Sequence, residues 1–125
     1  METRVLTFLQ RVKHWWSRRP TIRYSKVVRV SSMSDVPADT KNKIYLVGSA
    51  STLKWVLLMC PCARRHRLSV PLMRSISPHW KVFDHGKTLT LWPSLWLNEE
   101  SCGSHFWLKR SRVEWAFGDD VSEHL

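Results

Sequence analysis

The sequence predicts a mainly β protein, a small antiparallel β domain preceded by one amphipathic helix. Three observations carry that expectation. From Arg23 onward, apolar residues alternate in short runs of strand length. Turn-forming residues separate the runs, and none is followed by a helical stretch long enough for a β-α-β crossover. Eight Trp and only four Gly in 125 residues suit an aromatic-rich core built from strands.

The elements follow in chain order. Val5, Phe8, Leu9, Val12, Trp15 and Trp16 recur at helical spacing, with Arg4, Arg11, Lys13, Arg18 and Arg19 mostly on the opposite face. Pro20 stops the element, so residues 1–22 read as a basic amphipathic helix. Such a helix can cover the domain or a partner, or lie on an anionic membrane surface. Residues 23–42 read as a strand, Tyr24–Val30, and a polar loop around Pro37. Residues 43–118 form the main β domain, with strands expected at Lys43–Gly48, Lys54–Cys60, Arg67–Met73, Trp80–Asp84, Thr88–Trp92, His105–Lys109 and Arg112–Trp115. His85-Gly86 and Arg110-Ser111 read as hairpin turns, and residues 119–125 as a tail.

At this length the chain supports one modest core. The formal charge of +10 is uneven: residues 1–29 hold eight Lys and Arg against Glu2 alone. The basic character belongs to the N-terminal segment, which argues against nucleic acid as the partner of the β domain. Three cysteines, an odd number, argue against a closed disulfide framework of the secreted kind. No apolar run is long enough to span a bilayer. Gln10-Arg11 interrupts Val5–Leu9, unlike a signal peptide, so a reducing, cytoplasmic setting is expected.

All three cysteines sit at turns beside strands. Cys60 and Cys62 follow the apolar run 55–59 with C-x-C spacing, and Cys102 and His105 precede Phe106–Lys109 with C-x-x-H spacing. Gly103 suits the positive φ of a tight knuckle. Two such knuckles offer three thiolates and an imidazole, a tetrahedral set suited to zinc. Cys60, Cys62, Cys102 and His105 are therefore the expected ligands, and the fold is a β domain with a two-knuckle zinc site. His66, four residues after Cys62, is the possible substitute for His105, although it lies in the basic run Arg64-Arg65-His66-Arg67. The bland alternative is three buried cysteines with no metal. His14, His79, His85 and His124 have no partner at ligand spacing.

The motifs Met59-Cys-Pro-Cys62, Pro78-His-Trp80, Thr88-Leu-Thr-Leu-Trp-Pro-Ser94, Cys102-Gly-Ser-His-Phe-Trp-Leu108 and Arg112-Val-Glu-Trp115 occur in that order. From about Lys43 to Trp115 the chain resembles a bacterial family of unassigned function often encoded beside ubiquitin-like proteins and their activating and conjugating enzymes. The resemblance implies a zinc-binding β domain, partners within that conjugation system, and a peptidase that trims or removes the ubiquitin-like protein. Many relatives carry a further cysteine where this chain has Arg64.

A closed site of three cysteines and one histidine leaves no position for a catalytic water, so proteolysis would need its own nucleophile. Ser94, in Trp92-Pro-Ser-Leu-Trp96, resembles the family's motif serine, and Ser104 lies inside the second knuckle. A serine needs a base, for which His66, His79 or His105 is available. With His105 committed to zinc, Ser94 and His66 become the expected catalytic pair. In another arrangement His105 leaves the metal, and a zinc-bound water works with Glu99 or Glu100 as proton carrier. Three functions thus stand: a peptidase of a ubiquitin-like system, a non-catalytic zinc adaptor for that protein or its conjugating enzyme, and a basic zinc-ribbon-like nucleic-acid binder.

Overall fold

A computed structural model describes residues 21–118 and 120–125. The helix expected over 1–22 lies, but for its last two residues, outside the described residues. The described residues form nine strands, β1 (Lys26–Val30), β2 (Lys43–Gly48), β3 (Leu53–Met59), β4 (Arg67–Pro71), β5 (Lys81–Asp84), β6 (Leu89–Trp96), β7 (His105–Lys109), β8 (Arg112–Trp115) and β9 (Ser122–His124). Among them the only helical turn is a 3-10 turn at Met33–Asp35, capped by the Ser32 hydroxyl. The mainly β expectation holds.

Two sheets share one core. The first has the order β1-β2-β3-β4, and the second β5-β6-β7-β8 with β9 added beside β6. Neighbours are antiparallel apart from β1 with β2 and β6 with β9, which run parallel. The antiparallel expectation is therefore corrected at those two pairs. Parallel neighbours need a crossover, and residues 31–42 supply one for β1 and β2 without an α-helix.

Ile44, Leu46, Val56, Leu58, Leu68 and Val70 of the first sheet pack with Leu89, Leu91, Leu95, Phe106 and Leu108 of the second and with Trp80, which lies just before β5. The run Val56–Met59 is buried at every position, because the other face of β3 is covered too. There Leu57 packs with Val36, from the 31–42 loop, and Val47. A continuous apolar run in place of alternation is the signature of a strand buried on both faces.

The Arg110-Ser111 turn is where the sequence puts it, and the β5–β6 turn centres one residue later than expected, on Gly86-Lys87, where the His85 N–H donates to the Thr88 carbonyl at 2.9 Å. Gly86 has φ 88°, and Arg110 and Ser111 have φ 49° and 62°, both left-handed, as a tight two-residue hairpin between β7 and β8 requires. Across the sheets, Arg29 of β1 grips Asp84 of β5 through two bonds of 2.6 and 2.7 Å. The segment expected as a tail carries β9, whose Ser122, Glu123 and His124 pair with Ser94, Leu95 and Trp96.

Candidate active site and metal centre

Ser94 sits on β6 within an irregularity in its pairing with β7, which spans Leu91 to Leu95. Leu91 and Leu95 both face the core with no exposure. The irregularity re-aims the intervening residues, as bulges beside functional sites do. Across the ladder His105 pairs with Trp96 at the start of β7. The Ser94 Oγ and the His105 Nε2 lie 2.8 Å apart.

Packing fixes both side chains. Ser94 is fully buried and His105 is 9% exposed. The Trp96 ring stacks on the imidazole at 4.4 Å, within 5° of parallel. Trp80, in the core beneath, directs its indole N–H to the Ser94 carbonyl at 3.4 Å. Burial favours the neutral imidazole and holds His105 below its ordinary range, the Asp120 carboxylate acts in the opposite sense, and His124 adds to the lowering. Asp120 itself accepts from the Trp107 indole N–H at 3.1 Å and from the Phe117 N–H at 3.2 Å. A buried neutral histidine against a serine hydroxyl is the arrangement that general-base activation of a nucleophile needs.

The second cluster gathers Cys60, Cys62, His66 and Cys102, whose ligand atoms all lie within 4.8 Å of one another. The Cys60 and Cys102 sulfurs are 3.7 Å apart. Two turns build it. The β3–β4 connection closes through the Cys60 N–H on the His66 carbonyl at 2.7 Å and the Arg65 N–H on the Cys62 carbonyl at 3.2 Å. The β6–β7 connection coils so that the N–H groups of Ser101, Cys102 and Gly103 all donate to the Asn98 carbonyl, with Gly103 at φ 65°. The Arg64 guanidinium donates to the Ser101 carbonyl and ties one turn to the other.

Burial pushes the Cys60 thiol well above its ordinary value. Burial acts the same way on Cys102, but hydrogen bonding to the Ser104 hydroxyl and backbone, and contacts with His66 and Cys60, outweigh it and bring that thiol down to about 6. The His66 Nε2 is buried with no hydrogen-bond partner. Three unbridged thiols beside an unpartnered imidazole nitrogen form a group that could hold a metal ion.

The structure exchanges the expected places of the two histidines. His66 joins the three cysteines, in place of His105. His105 lies against Ser94, in place of His66. The physical reason is strand alternation: Phe106 and Leu108 face the core, so His105 and Trp107 face the other way, toward Ser94 and Trp96. His79 bonds the Ile76 carbonyl through its Nδ1 and is not in either cluster. Glu99 and Glu100 are exposed loop residues. Sequence reasoning missed Trp96, Asp120 and His124. The alternation of His105 with Phe106 was the available signal for the exchange. Nothing comparable marked Asp120 or His124, which reach the site through tertiary pairing alone.

A family model described as bacterial ubiquitination-like system serine protease (BubE) matches residues 30–116. The chain belongs to this family. The matched span contains Ser94, His105 and all four residues of the cysteine–histidine cluster. It stops short of Asp120 and β9. No curated protein and no solved structure matches the chain.

Proposed function

We propose that the chain is a serine peptidase that processes or deconjugates a bacterial ubiquitin-like protein, with Ser94 as nucleophile and His105 as general base. The observation that carries the reading is the 2.8 Å contact between the Ser94 Oγ and the His105 Nε2, in a family named for serine proteolysis. His105 takes the hydroxyl proton as Ser94 attacks the scissile carbonyl, then returns it to the leaving amine, and water repeats the cycle on the acyl-enzyme. The depressed basicity of His105 keeps it neutral at neutral pH. Its partners are the ubiquitin-like protein and the enzymes that conjugate it.

Cys60, Cys62, His66 and Cys102 hold a structural zinc ion in this reading. The donor set supports it, since a tetrahedral zinc with bonds of about 2.3 Å separates its sulfurs by roughly 3.8 Å, against 3.7 Å between Cys60 and Cys102. Four protein ligands close the site to water. When bound, zinc supplies folding stability, fastening the loop between β6 and β7, the strands that carry Ser94 and His105. Three free thiols fit a reducing, cytoplasmic setting.

The test is to incubate the protein with a ubiquitin-like protein of such a system bearing a C-terminal extension. Cleavage by the wild type, lost in Ser94→Ala and His105→Ala, supports the peptidase. A folded, metal-loaded protein that binds the partner without cutting it would be the adaptor instead.

A further inference from the structure

The stretch expected as a tail lies on the candidate nucleophile. β9 runs parallel to the end of β6, on the edge opposite β7, with Ser122 across from Ser94 and His124 across from Trp96. The Val121 carbonyl accepts from the Ser94 N–H at 3.2 Å and from the Ser94 Oγ at 2.7 Å. Beyond it, the Leu125 N–H donates to the Trp96 carbonyl at 3.1 Å. The His124 ring stacks on Trp96 at 4.8 Å, so Trp96 is held between His124 and His105.

Resting on the serine-peptidase reading, we infer that the β6 edge from Ser94 to Trp96 is the binding site for an extended substrate peptide, and that β9 is its resident, self-inhibiting occupant. A carbonyl oxygen bonded to the backbone N–H of a nucleophilic serine stands where an acyl-transfer substrate presents its own. Val121 fills that position. The residues that follow it lie along β6, on the side that departs once the carbonyl is attacked. The ligand that fits is a polypeptide continuing for several residues past its scissile bond and held by main-chain hydrogen bonds as an added strand. That geometry suits removal of a peptide extension better than removal of one terminal residue.

A proton count explains the inhibition. A serine hydroxyl has one proton. Given to the Val121 carbonyl, it is not available to the His105 Nε2, which must then donate its own N–H to the Oγ. An imidazole protonated at Nε2 cannot accept the serine proton. Departure of β9 removes the competing acceptor and uncovers Ser94 in one step.

The experiment uses the full chain and a small alkyl fluorophosphonate, which labels an activated serine. Leu125→Pro removes the N–H held by Trp96 together with a side chain packed at the margin of the core, and His124→Ala removes the ring stacked on Trp96; both positions lie in or just past β9, outside β6 and β7. The double variant should label at Ser94 roughly tenfold faster than the wild type, or more, as expected for loss of one hydrogen bond and one ring contact. An acetylated peptide of residues 120–125, added in trans, should slow the variant again. Should the double variant fold poorly by circular dichroism, Leu125→Pro alone carries the comparison. Equal labelling rates for variant and wild type, or no effect of the peptide on a faster variant, would overturn the occupancy and leave the serine reading intact. No labelling of either protein above Ser94→Ala would overturn the serine reading itself, and this inference with it.

Discussion

The His105 imidazole lies between the Ser94 hydroxyl, 2.8 Å from its Nε2, and the face of the Trp96 ring, stacked at 4.4 Å. One contact supplies a proton path and the other fixes the ring's orientation. Both come from neighbouring strands of one sheet, a rigid support for a site that tolerates little displacement.

Removing either partner of that contact should abolish peptidase activity while sparing the fold. Ser94→Ala and His105→Ala are each expected to lower kcat by about a thousandfold or more, with KM far less affected. Steady-state kinetics on an extended ubiquitin-like substrate checks this, with thermal unfolding as the control. Activity within tenfold of wild type in either variant would contradict the assignment.

The pH profile follows from the environment of His105. The base must be neutral to accept a proton, and burial favours the neutral form, so its pKa lies below the ordinary histidine value of about 6.5. Activity should rise along an acid limb below that value and be level through neutral pH. The Asp120 carboxylate raises the His105 pKa, so Asp120→Asn should move the limb further to acid. It should also lower kcat, because the imidazolium formed in the transition state loses a stabilising charge. A limb that moves to higher pH in Asp120→Asn would contradict the electrostatic account.

The cysteine–histidine cluster should behave as a staple. One zinc per chain is expected, and His66→Ala or Cys102→Ser should lower both zinc content and melting temperature, the latter by on the order of 10 °C. Metal analysis by plasma mass spectrometry and calorimetry provide the readout. Full zinc content in His66→Ala would exclude His66 as a ligand.

Trp80 links the core to the site. It is 1% exposed and reaches the Ser94 carbonyl. Trp80→Ala should cost about 3–5 kcal/mol of stability, as expected for a buried aromatic lost from a packed core. Denaturant unfolding measures it, and a loss under about 1 kcal/mol would show that the sheets pack differently.

Much of this fold is legible in the residues. The apolar runs at Lys43–Gly48 and His105–Lys109 match β2 and β7, and both two-residue turns are where Gly86 and the Arg110-Ser111 pair suggest. β6 extends past Pro93 to Trp96, because Pro93 falls in the irregularity between Leu91 and Leu95, where no ladder donor is needed, and Leu95 and Trp96 resume the pairing with β7. The three cysteines declare themselves by spacing and by being the only ones in the chain. The choice between His66 and His105 does not, since both lie at plausible ligand spacing. Strand alternation decides it, and alternation is clear only once Phe106 is known to face the core. β9 is illegible for a related reason: a three-residue strand gains its place from the edge of β6, not from its own composition.

The most direct test compares the two histidines. Fluorophosphonate labelling of zinc-loaded protein, read by mass spectrometry of the peptide containing Ser94, should be lost in His105→Ala and retained in His66→Ala supplied with excess zinc. Labelling that survives in His105→Ala but disappears in a folded, zinc-loaded His66→Ala would contradict the account.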